Sequence, residues 1–210
     1  MDSVRVFIAI LSSVIGVACY APYIRHVLLG QTTPHTYSWL VWTLLQIIGA
    51  AAMLSGGAGA GALFLMGGAA LSGFIFVLSL RNGTHDITMF DTVCLIGAFS
   101  GMGAYFFMRD PLYSVLAISF TEFMAFVPTW RKAYAKPDSE TLLTYALSAV
   151  SSALALFALS AITFTTVLYP LSITITNTVC SAIIIRRKRM NGFTLRSMIW
   201  RFLRRSSVRV

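Results

Sequence analysis

Seven long apolar stretches, each cut from the next by a short cluster of glycine, proline, asparagine or charge, leave this chain little choice of fold. A backbone in hydrocarbon must satisfy every N–H and C=O internally, so only helices and closed barrels cross a bilayer. A barrel reads as segments of roughly 10 residues with alternating character. Here the apolar runs are unbroken, which predicts a helix bundle. With roughly 20 apolar residues needed per crossing, the runs predict spans over about 4–27, 37–55, 58–80, 89–108, 112–133, 141–161 and 164–185. The breakers are Gly30 to Pro34, Ser55-Gly56-Gly57, Asn82-Gly83, Arg109-Asp110-Pro111 and Lys136-Pro137-Asp138, and the junction at 161–163 is the least marked. Composition excludes a water-soluble domain: 11% of residues are charged and 57% are hydrophobic, against about one-quarter charged in soluble proteins.

Basic residues set the orientation. With the N-terminus outside, the inner side receives Arg25, Arg81, Arg131, Lys132, Lys136 and nine basic residues from Arg186 to Arg209. Only Arg5 and Arg109 of the 16 basic residues fall outside, so the positive-inside rule predicts N-out, C-in. The net charge of +9 comes mostly from the tail, 190–210, where Leu195, Met198, Ile199, Phe202 and Leu203 share one helical face and arginines take the others. That pattern predicts a basic amphipathic helix on an anionic inner leaflet rather than a nucleic-acid-binding arm, with a disordered basic tail as the plainer alternative. Cys19, Cys94 and Cys180 lie within apolar runs without CxxC spacing, as inert core thiols do. The first run reads as a retained span, and Gly16 stands where a lipoprotein cleavage box prefers an aliphatic residue.

One stretch, APYIRHVLLGQTTPHTYSWLVW from Ala21 to Trp42, returns in weaker form 106 residues later. Pro22 then falls on Pro128, Arg25 on Arg131, Thr33 on Ser139, Ser38 on Thr144 and Trp39 on Tyr145; near a shift of 105, Ser72 meets Asn177 and Arg81 meets Arg186. The pattern predicts a triple-helix repeat over 1–83, a linker helix within 84–109 and a second triple-helix repeat over 110–189, followed by the tail. Three spans reverse the direction of the next copy and the linker restores it, so the repeats run parallel.

A proline in the first helix of each repeat, a polar turn containing Thr or Ser, and a 3+1+3 arrangement with N-out, C-in resemble the PQ-loop superfamily over about 4–189. That group contains the SWEET sugar transporters and lysosomal amino-acid exporters. PnuC-type vitamin transporters and the KDEL receptor share the helical arrangement. The family's Pro-Gln is Pro22-Tyr23 in one copy and Pro128-Thr129 in the other. The resemblance implies that Pro22 and Pro128 are hinges that open an inner gate, against a static kink as the plainer alternative. It also implies that Asn177 binds substrate near the midplane, opposite Ser72.

The residues add their own candidates. Arg25 and Arg131 anchor helix ends at the inner headgroups, or pair with Asp86 or Asp138 at a gate. Trp39 and Trp42 share a helix face near an interface, where an aromatic belt is the default and stacking on a ligand the alternative. Gln46 and Asn177 are amides inside spans, either ligand contacts or interhelical glue. Glu122 lies mid-span, where a carboxylate is costly and a functional role is the first hypothesis. It is the candidate for proton coupling, for neutralising a cationic solute, or for a plain hydrogen bond to a neighbouring helix.

These features predict a transporter of a small polar solute (sugar, amino acid or vitamin precursor) in a bacterial inner membrane, with no cofactor or metal. A receptor for a peptide or lipid on the same fold is the alternative, and a homo-oligomer is compatible with either. An enzyme would need convergent acids, bases or ligands at mid-depth, yet His26, His35 and His85 map to inner loops. A retinal protein would need a lysine inside a span, and Lys132, Lys136 and Lys188 are all at span ends.

Overall fold

The computed structural model describes residues 2–30, 34, 36–83, 88–108, 111–135, 137 and 140–190. The tail from 191 onward lies outside the described residues, as do His35, His85, Asp86, Asp138 and the side chain of Pro128. Seven α-helices appear among the described residues: α1 (Asp2–Leu28), α2 (Thr36–Ser55), α3 (Leu63–Asn82), α4 (Met89–Met108), α5 (Pro111–Ala135), α6 (Leu142–Phe157) and α7 (Phe164–Met190). A 3-10 turn, Gly59–Ala62, leads into α3. No strand occurs among the described residues. Five of these segments are long and apolar enough to cross a membrane, the pattern of an integral membrane protein.

Local chemistry sets the helix ends. Gly30, at φ +66°, turns the chain out of α1, a conformation that costs glycine little. Pro111 opens α5, where a missing N–H is no loss. Thr163 and Thr166 cap α7 reciprocally, the Thr166 N–H donating to Thr163 Oγ1 at 3.3 Å and the Thr163 N–H to Thr166 Oγ1 at 3.0 Å. Along the spans, hydroxyls turn back onto their own helix, as Ser13 does onto the Ala9 carbonyl and Thr43 onto that of Trp39.

The predicted spans match these helices closely except in two places. The sixth, expected over 141–161, ends at Phe157 and is 16 residues long, about 24 Å at 1.5 Å per residue. Its last residues leave the helix because Ser160 donates its N–H to the Ala58 carbonyl at 3.1 Å, tying 158–163 to the turn after α2. The third begins as a 3-10 turn, where Gly57 and Gly59 adopt φ +83° and +58°.

Burial is inverted relative to a soluble protein. Phe7, Ile10, Val14, Phe74, Val77 and Phe120 face outward, whereas Ser12, Ser72, Ser114, Ser152, Thr166 and Thr176 are buried. Small hydroxyl residues let helices approach closely where lipid is as apolar as leucine. The buried apolar core, with Leu45, Met53, Leu65 and Ile118, lies around α2.

Helix neighbours follow one rule. α3 packs against α1 and α2, as α7 packs against α5 and α6. α1 lies on α6, as α5 lies on α2; the lesser contacts α2–α7 and α3–α6 exchange in the same way. Swapping α1, α2, α3 for α5, α6, α7 therefore leaves the packing partners unchanged, with α4 set against α5 and α2.

Candidate functional site

Two polar nodes and a run of rings occupy the ground between α1, α2, α5 and α7. In the first half, Gln46 of α2 reaches across to both neighbours. Its Nε2 donates to Ser72 Oγ on α3 at 3.2 Å and to the Tyr20 hydroxyl on α1 at 3.3 Å, and it also bonds back to the Trp42 carbonyl at 3.3 Å. Gly68 leaves room for that amide, because a Cβ there would fall on Gln46 Oε1. In the second half, Glu122 of α5 is 3% exposed and meets the hydroxyl of Thr176 on α7. Trp130, two turns on, donates its indole N–H to the Thr176 carbonyl at 3.1 Å. Tyr20 and Tyr169 lie within electrostatic range of Glu122.

The rings join the nodes. Tyr23 and Trp39 have centroids 4.8 Å apart, Trp39 and Trp42 5.3 Å, Trp42 and Phe126 5.9 Å, and Phe126 and Tyr145 6.2 Å. The run crosses from the first half to the second at Trp42–Phe126. Trp39 also donates its indole N–H to the Tyr23 hydroxyl at 3.2 Å, and Tyr145 donates to Glu140 at 2.7 Å. Trp42 Nε1 is buried with no hydrogen-bond partner, an arrangement that costs about 1 to 3 kcal/mol. The ring pairs repeat: Tyr20–Trp39 and Phe126–Tyr145 are both 6.2 Å apart, and the 106-residue shift carries one pair onto the other.

At one end of the bundle the α2–α3 and α6–α7 turns pack against each other. A Cβ at Gly59 would strike Ser160 Oγ, one at Gly61 would sit 2.8 Å from Leu159 Cδ2, and one at Gly56 would sit 3.1 Å from methyls of Thr165 and Thr166. The glycines of the α2–α3 turn thus permit backbone contact with the α6–α7 turn, and Ala58, Ala158 and Leu159 are buried there. Along the α1–α6 seam, Ser12 and Ser151 each donate to the other's carbonyl at 2.8 Å. Cys19 lies near Ser148 Oγ at 3.2 Å.

Several sequence candidates converge here and others do not. Gln46 and Ser72 are joined, and Trp39 and Trp42 enter the ring run. The two tryptophans face the protein interior, so the belt expectation is corrected: their neighbours on α1 and α5 are aromatic. Asn177 is 5% exposed but turns its amide N–H onto the Ile173 carbonyl of its own helix at 2.9 Å. No hydrogen bond joins it to Ser72 among the described residues. Pro22 lies within α1, which continues to Leu28 without interruption, and Pro128 lies within the range of α5. Arg25 is in the last turn of α1 and half-buried, while Arg131 is exposed near the end of α5. Sequence reasoning missed Tyr20, Thr176 and Phe126; the shift that pairs Tyr20 with Phe126 was the signal for two of them. No cluster of three or more His, Cys, Asp or Glu able to hold a metal occurs among the described residues. The chain matches no protein-family model, no curated protein and no solved structure.

Proposed function

We propose that this chain is a seven-span, N-out, C-in transporter of a small polar solute, similar to the PQ-loop and SWEET-like proteins, in a bacterial inner membrane. It works by alternating access between residues 1–83 and 110–189, with the tail on the anionic inner leaflet. The observation that carries this reading is the exchange of packing partners: each helix of one half finds the neighbours that its counterpart finds in the other. Two like halves facing each other across half-buried Gln46, buried Glu122 and aromatic rings form a pathway that can be exposed to one side at a time. The contact between the α2–α3 and α6–α7 turns supplies the closed side. Pro22 and Pro128 supply the hinges, and Glu122 is the group through which a proton can be coupled.

Purified full-length protein in liposomes, tested by counterflow of radiolabelled sugars, amino acids, vitamin precursors and small ammonium compounds, checks the reading. Exchange of at least one class is expected, and absence of exchange across the panel contradicts transport. Pro22→Ala and Pro128→Ala should slow exchange; unchanged flux removes the hinge role. Glu122→Gln should abolish proton-driven accumulation while sparing exchange, and retained pH-dependent uptake removes the coupling role.

A further inference from the structure

We infer that the end of α5 and the adjoining turn of α7 form a site for the phosphate of an anionic phospholipid, whether or not the chain transports. The two helices run in the same direction, since Trp130 meets Thr176 and, further along both, Tyr134 meets Arg187. Arg187 therefore lies beside the last turn of α5, which closes at Ala135. It is held there in two ways. Its Nε donates to the Tyr134 carbonyl at 2.9 Å, and its guanidinium lies over the Tyr134 ring, 4.3 Å from the centroid. These contacts fix the plane of the guanidinium. Its two Nη groups, the pair that can fork onto a phosphate, are not engaged among the described residues.

The clamp sits on the lipid face. Leu116, Phe120 and Val127 are exposed along one stripe of α5, and exposed Arg131 and Tyr134 continue that stripe at i+4 and i+7 from Val127. On α7, exposed Leu171, Ile175 and Val179 form a similar stripe that reaches exposed Arg186. Apolar side chains that give way to arginine on two packed helices follow the order of a phospholipid, acyl chains first and phosphate at the end.

Charge selects the headgroup. α7 contains no acidic residue, and the one acid of α5, Glu122, lies about 18 Å along the helix from Tyr134 at 1.5 Å per residue. Glu140 accepts the Tyr145 hydroxyl at 2.7 Å. Arg131 and Arg186 have no acidic partner among the described residues. A choline headgroup would bring a positive charge into this cluster, whereas phosphatidylglycerol brings only its phosphate. An unattached arginine near the headgroups snorkels and adapts to any lipid. Arg187 is instead tied to the protein through Nε and presents a fixed fork, which separates a site from a generally basic surface.

The test mixes full-length protein in detergent with equal amounts of phosphatidylglycerol and phosphatidylcholine of the same acyl chains. Native mass spectrometry then reads which lipid the protein retains first. Phosphatidylglycerol should be favoured at least about fivefold, the effect of one basic residue beside an anionic surface. Arg187→Lys keeps the charge but loses the planar fork, and should bring the two lipids close to parity. Should Arg187→Lys fail to fold, Tyr134→Leu, which removes the ring and keeps the carbonyl, should lower the preference in the same direction. A tail variant with Arg201, Arg204 and Arg205 replaced by glutamine should keep the preference, because those residues lie outside the clamp. Inorganic phosphate in excess, at matched ionic strength, should not displace the lipid, since the acyl chains share in its binding. Equal retention of the two lipids, an undiminished preference in folded Arg187→Lys or Tyr134→Leu protein, its loss in the tail variant, or displacement by phosphate overturns the proposal.

Discussion

The two halves of the bundle share a packing plan and differ in what they bury. In the first, α2 carries Gln46, which ties Tyr20 and Ser72 together in a neutral node. In the second, α5 carries Glu122, set against Thr176. The seams differ too. Ser12 and Ser151 exchange hydrogen bonds between α1 and α6, whereas Ile118 and Leu45, which the 106-residue shift places at the corresponding positions of α5 and α2, are apolar and fully buried. One backbone arrangement therefore supports two chemistries: an acid faces the centre from one side and an amide from the other.

Unequal seams should respond unequally to truncation. Leu45→Ala empties a fully buried site and should cost about 2 to 5 kcal/mol. Ser12→Ala removes one interhelical bond and should cost only about 0.6 kcal/mol, the typical value in membrane proteins. Unfolding of both variants in detergent checks the ranking. Equal losses would mean that the two seams are energetically alike.

Gly49 sharpens the contrast further. A Cβ there would fall inside the Tyr169 ring and 3.2 Å from Leu65, whereas its counterpart by the same shift, Ala155, already carries a methyl and is buried. Gly49→Ala should therefore destabilise by about 1 to 3 kcal/mol through overpacking. If it instead raises the melting temperature, as helix propensity alone would suggest, Tyr169 is free to move and the tight α2–α7 approach is not fixed. A smaller effect is expected at the neutral node. Gln46→Leu loses the bonds to Tyr20 and Ser72 and should cost about 1 to 2 kcal/mol. Tyr20→Phe combined with it should add little, because both changes remove the same interaction; additive losses would show that Tyr20 has another partner.

Most of the fold was legible because hydrocarbon tolerates few alternatives. Unbroken apolar runs bounded by glycine, proline and charge mark helices, and five of the seven predicted spans match the helices found. The end of α6 was not legible, since no breaker stands at Ala158 and the chain leaves the helix to meet Ala58, 100 residues earlier. Glu122 was visible as the lone acid in its span. Its partner was not, because Thr176 is one of many threonines in α7 and only the approach of α5 selects it. Trp39 and Trp42 read as interface residues from position alone. Which way a tryptophan near a helix end faces depends on the helices beside it, and here Tyr23 and Phe126 draw both inward.

In the proposed transport cycle, two like halves move apart and together around the polar centre. The most direct measurement joins the two packed turns covalently. Ala58→Cys and Ser160→Cys place thiols on the two turns whose backbones are hydrogen-bonded at 3.1 Å, and counterflow is then recorded before oxidation, after oxidation and after reduction. The account predicts exchange in the reduced protein, arrest when the turns are cross-linked, and recovery on adding reductant. Undiminished exchange with the turns cross-linked would contradict it.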